Sequence, residues 1–203
     1  MLSDKAFGFK TTAWARPAFA FLLEFGMVGA MERTDNLQTF RLRDWTPGDS
    51  VVITRINDTE IPNVTFFAAG ELAMLAVQAF YFRVVESESG DIAGFVLALD
   101  ENATYASLNF QWFKARYPQF IYIDRIVVSA AYRGLGVGRI LYDGLEKAAS
   151  QVSPLLACEV NVRPPNPGSL RFHQQFGFRE VGVQDTEGGK KTVALMLKEI
   201  QPH

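Results

Sequence analysis

Apolar and polar residues alternate from Thr39 to Asp44, with Phe40 and Leu42 set against Thr39, Arg41 and Arg43, the pattern of a half-buried strand. Thr46-Pro47-Gly48-Asp49 comes next as a helix start that Thr46 or Asp49 can cap, and that helix carries Val52, Ile53 and Ile56 inward and ends near Asn57. Ala69 to Phe80 is built of strong helix formers and predicts a second helix. Tyr81 to Glu86 and Ile92 to Leu99 are apolar runs split by Ser87 to Asp91, a hairpin signature. Phe120 to Val128 and Leu155 to Val162 read as two mostly buried strands. Between them, a glycine-rich turn from Arg133 to Gly138 leads into a segment where Ile140, Leu141, Leu145, Ala148 and Ala149 recur with helical spacing. Asn166 caps a last helix with Pro167 at its first position, and Gly177 ends it with Phe178 folding back. Phe178 to Val183 and Thr192 to Leu197 predict two further strands around Glu187 to Lys190.

At 203 residues the chain is one domain, or one domain with an extension. A net charge of -2 without a basic run excludes a nucleic-acid footprint. The single cysteine, Cys158, allows no intrachain disulfide and suits a reducing, cytoplasmic compartment. It lies in an apolar strand and reads as core rather than nucleophile. No Cys/His cluster has metal spacing, so no metal is expected. Residues 1–35 do not match the rest of the chain. Phe19 to Ala30 is apolar but is interrupted by Glu24 and too short to span a bilayer, so no membrane partner is expected. Lys5, Lys10 and Arg16 precede it as in a signal peptide, against which Asp4 and Glu24 argue. The expected organisation is a non-domain extension over 1–35, with Met31 an alternative start, and one domain over 36–203.

A strand, a glycine turn and a helix N-terminus in that order make an anion site. The unpaired amides of the first helical turn point at the loop, and the helix dipole places positive charge there. Arg133 and Arg139 flank the turn and can add charge-assisted bonds. The Rossmann fingerprint fails because Arg139 stands where its third glycine belongs, and the phosphate-loop pattern fails for want of Gly-Lys-Ser/Thr. On the later strand, Glu159 and Asn161 share one face. A carboxylate in so apolar a run either pairs with an arginine or does chemistry.

The spacing Arg133-x-x-Gly136-x-Gly138, after a strand and before a helix, resembles the GNAT superfamily of N-acyltransferases. Asn166 and Ser169 at the last helix start, with Gly177-Phe178 at its end, match a second motif of that family, and the resemblance covers about residues 39–200. It implies an α/β fold with a mixed central sheet of about six or seven strands and about four flanking helices. It also implies transfer of an acetyl group from acetyl-CoA to an amine of a small molecule or peptide. By the same resemblance, Ile126, Val127 and Val128 hold the pantetheine arm, while Arg133, Gly134, Leu135, Gly136, Val137, Gly138 and Arg139 hold the pyrophosphate, with Asn166 and Ser169 also at the cofactor.

An acceptor amine must be neutral to attack, which costs more for a lysine-like amine of pKa about 10.4 than for an α-amine of about 7.7–8.0. A carboxylate can take the proton. Asp124 stands nine residues before Arg133, where many relatives carry a glutamate proposed as base, and Glu159 is its rival; the alternative for Asp124 is a strand-edge carboxylate paired with Arg125 or another arginine. His173 stands four residues before Gly177, where relatives carry a tyrosine that protonates the leaving thiolate. The segment from Asp100 to Pro118 is longer than a hairpin loop requires, and Phe110, Phe113 and Tyr117 have the spacing of a short amphipathic helix. Tyr105, Asn109, Trp112 and Phe113, with Tyr122 on the adjoining strand, are the expected acceptor wall. The competing reading is a catalytically silent acyl-CoA-binding module, and the pattern admits a homodimer.

Overall fold

Strands and helices are interspersed along the computed structural model, which describes residues 39–201. In chain order they are β1 (Phe40–Asp44), α1 (Ser50–Asp58), α2 (Glu71–Gln78), β2 (Ala79–Ser87), β3 (Ile92–Asp100), α3 (Leu108–Lys114), β4 (Ile121–Val128), α4 (Val137–Ala149), β5 (Leu155–Arg163), α5 (Pro167–Gln175), β6 (Arg179–Thr186) and β7 (Lys191–Glu199). The expected extension over 1–35 lies outside the described residues.

These seven strands join one mixed sheet in the order β1-β2-β3-β4-β5-β7-β6. Helices cover both faces, as the continuous apolar run of β3, buried from Ile92 to Leu99, requires. On one face Ile53 and Ile56 of α1, Leu72 and Leu75 of α2, and Phe110 and Phe113 of α3 pack on Phe82, Val84, Phe95, Leu97, Leu99 and Tyr122. On the other, Val137, Leu141, Tyr142 and Leu145 of α4 pack on Tyr81, Val85, Val96, Ala98, Ile121 and Ile123. Among the described residues five helices flank the sheet; the fifth beyond the expected four or so is α3, the short amphipathic piece. Its partner aromatic Tyr117 falls beyond the helix end but still meets the Phe113 ring at 6.2 Å.

One boundary moves. The second helix stops at Gln78 rather than Phe80, because Ala79 already pairs with Leu99 of β3 and Phe80 is the extra residue of a bulge before Tyr81. Ladder hydrogen bonds outweigh the helix propensity of two residues. The Asn166 cap is formed, its side chain accepting from the Ser169 amide at 3.1 Å; Asp49 makes no side-chain cap bond to α1 and instead turns back to accept from the Thr46 amide at 2.7 Å. Gly177, at φ +88°, ends α5 and turns the buried Phe178 back onto it.

Two irregularities shape the centre of the sheet. β4 and β5 run parallel but pair only at Ile121 with Leu156 and Tyr122 with Ala157, after which each keeps only its antiparallel neighbour. At the point of parting, Leu97 pairs with Arg125 and Ala98 with Ile123, which leaves Asp124 as a bulged residue of β4. A bulge shifts the alternation by one, so Asp124 and Arg125 turn toward the same helix layer.

Candidate active site

The parted strands open a cavity of about 950 Å³, lined by Ile123 to Val128 of β4, Cys158 to Asn161 of β5, the glycine turn and α5. Backbone groups of β4 beyond Tyr122 have no partner in β5, so one edge is open to a ligand with amides of its own. At the mouth, Gly134 and Gly136 have φ of +77° and +84°, a left-handed conformation that favours glycine, and a Cβ at either would meet open space. Together they swing the chain so that α4 begins at Val137 with its first amides facing the cavity. Gly138 has another reason to be glycine. A Cβ there would lie 2.7 Å from the Phe172 ring, so its hydrogen lets α4 and α5 close on each other. Leu135 is exposed and its side chain stands away from the cavity wall. Arg133 donates from Nε to the Val128 carbonyl at 3.3 Å and pairs through Nη2 with Glu60, while Arg139 lies 5.6 Å from the Phe176 ring.

Deeper in the cleft are two carboxylates in unlike surroundings. Asp124, its side chain 5% exposed, accepts from Tyr105 Oη at 2.6 Å and from Arg125 Nε at 2.7 Å, so both oxygens are engaged. Arg125 is itself buried, donates from Nη1 to Asn57 and to the Thr65 carbonyl, and stacks 3.9 Å over the Phe67 ring. Glu159 has no cation bonded to it among the described residues. It accepts from Tyr122 Oη at 2.5 Å, has the Asn109 side chain as a second hydrogen-bonding neighbour, and lines the cavity. Burial pushes its carboxyl up to about 7, an effect that the Tyr122 hydroxyl partly offsets.

His173 lies in the cavity wall and is 4% exposed, not on the open surface of α5. Its Nδ1 lies 2.8 Å from the Ser169 carbonyl, which can only accept, so Nδ1 carries the proton. The ring meets Tyr142, Phe172 and Phe178 edge-on, and burial holds its pKa below the ordinary value. The Cys158 thiol also borders the cavity, and burial raises its pKa well above normal, as suits a core residue.

Of the expected acceptor wall, Tyr105 and Asn109 line the cavity, whereas Trp112, Phe113 and Tyr122 do not. Phe113 is fully buried in the aromatic core under the sheet, where its ring meets Phe120 and Tyr122. Trp112 turns to the far side of α3 and covers Gly182 of β6, where a Cβ would clash at 2.8 Å. Tyr122 is fully buried and reaches the site only through its hydroxyl on Glu159. Helical spacing grouped Phe110, Phe113 and Tyr117 but could not say which side of α3 faced the cleft. The ion pair expected as the alternative for Asp124 is present, with Arg125 as its partner. The sequence pattern gave no warning of the segment from Asn57 to Thr65, of which Glu60, Asn63, Val64 and Thr65 line the cavity.

A mixed sheet split at its parallel pair, with a glycine turn feeding a helix N-terminus at the split, defines an acyltransferase fold. The chain belongs to the acetyltransferase (GNAT) family, whose family model matches residues 51–178. Among solved structures it is similar to the ribosomal-protein-S18-alanine N-acetyltransferase of Escherichia coli (TM-score 0.61, 16% identity, 80% of this chain and 95% of that one). It is also similar to Arabidopsis thaliana NAA60 in complex with acetyl-CoA (TM-score 0.64, 17% identity, 80% and 100%). A third is Chaetomium thermophilum Naa20 in complex with a bisubstrate analogue (TM-score 0.62, 18% identity, 79% and 86%). At these identities the likeness is one of fold. No curated protein sequence matches the chain.

Proposed function

We propose that this acyltransferase moves an acetyl group from acetyl-CoA to an amine of a small molecule or peptide, with Glu159 as the base. The observation that carries the reading is the Glu159 carboxyl, enclosed at the cavity wall, bonded to no cation among the described residues and raised to about 7. A base works best when its pKa lies near the operating pH. Asp124 has both oxygens occupied by Arg125 and Tyr105, which suits a structural charge better than a proton acceptor. Acetyl-CoA fits the rest of the cleft. The α4 amides and Arg133 meet its pyrophosphate, and the free edge at Ile126 to Val128 meets the amides of its pantetheine arm.

Glu159 takes a proton from the acceptor ammonium, and the neutral nitrogen attacks the thioester carbonyl. The C–N bond forms, the C–S bond breaks, the electron pair leaves on sulfur as a thiolate, and the nitrogen gives up its second proton to water in the cleft. A thiol has a pKa of about 8.5, so the thiolate can take its proton from water in the open cleft. His173, buried and held neutral by its surroundings, is poorly placed to supply that proton and serves instead to shape the wall beside Ser169. An α-amine of pKa about 7.7–8.0 matches a base near 7 far better than a lysine amine of about 10.4, so the preferred acceptor is an α-amine.

The test is CoA release from acetyl-CoA over a panel of short peptides with free or blocked α-amines, alongside small primary amines. Wild-type kcat/KM should rise with pH through about 7. Glu159→Gln should lower it by about 10²–10⁴ while acetyl-CoA still binds. Binding of acetyl-CoA with no release on any amine would make the protein a silent binding module and overturn the reading.

A further inference from the structure

The segment between α1 and α2 bridges the two parted strands and is tied to three walls of the cleft. On the β4 side, Arg125 Nη1 donates to Asn57 Oδ1 at 2.9 Å and to the Thr65 carbonyl at 3.1 Å. On the β5 side, Asn161 Nδ2 donates to the carbonyls of Pro62 and Asn63 at 3.3 and 3.2 Å. The third tie runs to the glycine turn, where the Glu60 carboxylate pairs with the Arg133 guanidinium.

These ties are not equivalent. Arg125 and Asn161 are buried, and a ligand at the glycine turn does not compete for them. Arg133 is different: its side chain is 53% exposed, and it stands at the start of the turn whose amides would receive a diphosphate. A diphosphate offers its guanidinium several charged oxygens in place of one carboxylate. With the diphosphate in place, the Glu60 carboxylate would be a like charge close by.

We propose that Glu60 is a positioning residue for the donor. It holds Arg133 across the mouth of the cleft until the diphosphate of the acyl-CoA takes the guanidinium over. The exchange releases the Glu60 end of the bridge, while the Arg125 and Asn161 ties keep the rest in place. Glu60, Asn63 and Thr65 all border the cavity, so filling the donor site changes the wall that the acceptor meets. Glu60 therefore lowers donor affinity and couples donor binding to the acceptor side. This rests on the donor assignment made above.

The experiment is calorimetric titration of the full chain with acetyl-CoA for wild type, Glu60→Gln, Glu60→Ala, Arg133→Gln and the Glu60→Gln/Arg133→Gln pair. Removing the Glu60 charge should tighten binding by about two- to fivefold, the range of one partly exposed ion pair. Arg133→Gln should weaken binding, and adding Glu60→Gln to it should recover much less than in wild type. A bridge that only braces the fold gives the opposite sign, because loosening it cannot improve affinity. Equal or weaker binding in both Glu60 variants overturns the proposal, as does full tightening without Arg133. If wild type binds no acetyl-CoA, the donor assignment itself falls; if it binds and the Glu60 variants do not tighten, only the role of Glu60 falls.

Discussion

Asp124 and Glu159 reach the same cleft carrying the same functional group, and their neighbours give them different work. Asp124 neutralises Arg125, a buried cation that also secures Asn57 and Thr65. Asp124→Asn leaves that cation without its carboxylate, which should cost about 3–5 kcal/mol and lower the melting temperature sharply. An Asp124→Asn protein that melts like wild type but has lost turnover would transfer the role of base to Asp124. Glu159 has the reverse sign. Its folded pKa of about 7 stands above the ordinary 4.5, so the folded state holds the proton more tightly than the unfolded chain. The stability this contributes is complete below pH 4.5 and is lost as pH rises through 7. Glu159→Gln mimics the protonated form and escapes that loss. Thermal melts should show variant and wild type close together in acid and the variant higher by a few degrees at about pH 8. Equal melting at both pH values would mean that Glu159 is not held against ionisation.

The site is an outcome of how elements fail to pair. β4 and β5 share two residue pairs and then part, and the Asp124 bulge at the parting turns both Asp124 and Arg125 toward α1 and α2. Opposite this opening, α4 and α5 meet at Gly138 and Phe172. That contact fixes where the first turn of α4 presents its amides. Gly138→Ala inserts a methyl 2.7 Å from an aromatic ring. It should destabilise the fold by about 1–3 kcal/mol in urea titrations, and acetyl-CoA affinity should fall as α4 shifts. A neutral result in both measurements would show that Phe172 can swing aside and that the glycine is not needed for packing.

For the molecule as a whole, the sheet separates two hydrophobic layers, and the cavity opens where the sheet itself is split. Donor and acceptor sides can then be built from different layers, α4 and α5 for one and α1 to α3 for the other. The described residues belong to one compact unit spanning 37–203. Residues 1–35 are proposed to be an extension that the domain does not need, on the change of composition before Thr39. A chain beginning at Met31 should melt within a few degrees of the full chain by calorimetry. A larger drop would show that the apolar run from Phe19 to Ala30 contributes to the core.

What the sequence determined by itself was everything carried by near neighbours. Alternation announced the first strand, and apolar runs bounded by turn residues announced the others. The turn from Arg133 to Gly138, the Asn166 cap and the Gly177 stop were legible because left-handed φ and unpaired helix amides restrict which residues can stand there. Glu159 stood out as a carboxylate in an apolar strand. Tertiary structure alone decided the rest. Whether Asp124 or Glu159 was free of a cation depended on a bulge that arises from pairing with β3. Trp112 and Phe113 left the acceptor wall because α3 has two apolar sides, and only packing against Gly182 and the sheet core chose between them. His173 became part of the cleft wall because Tyr142, Phe172 and Phe178 close around it. The bridge of Glu60, Arg125, Arg133 and Asn161 joins residues far apart in the chain, and no local periodicity encodes contacts at that separation.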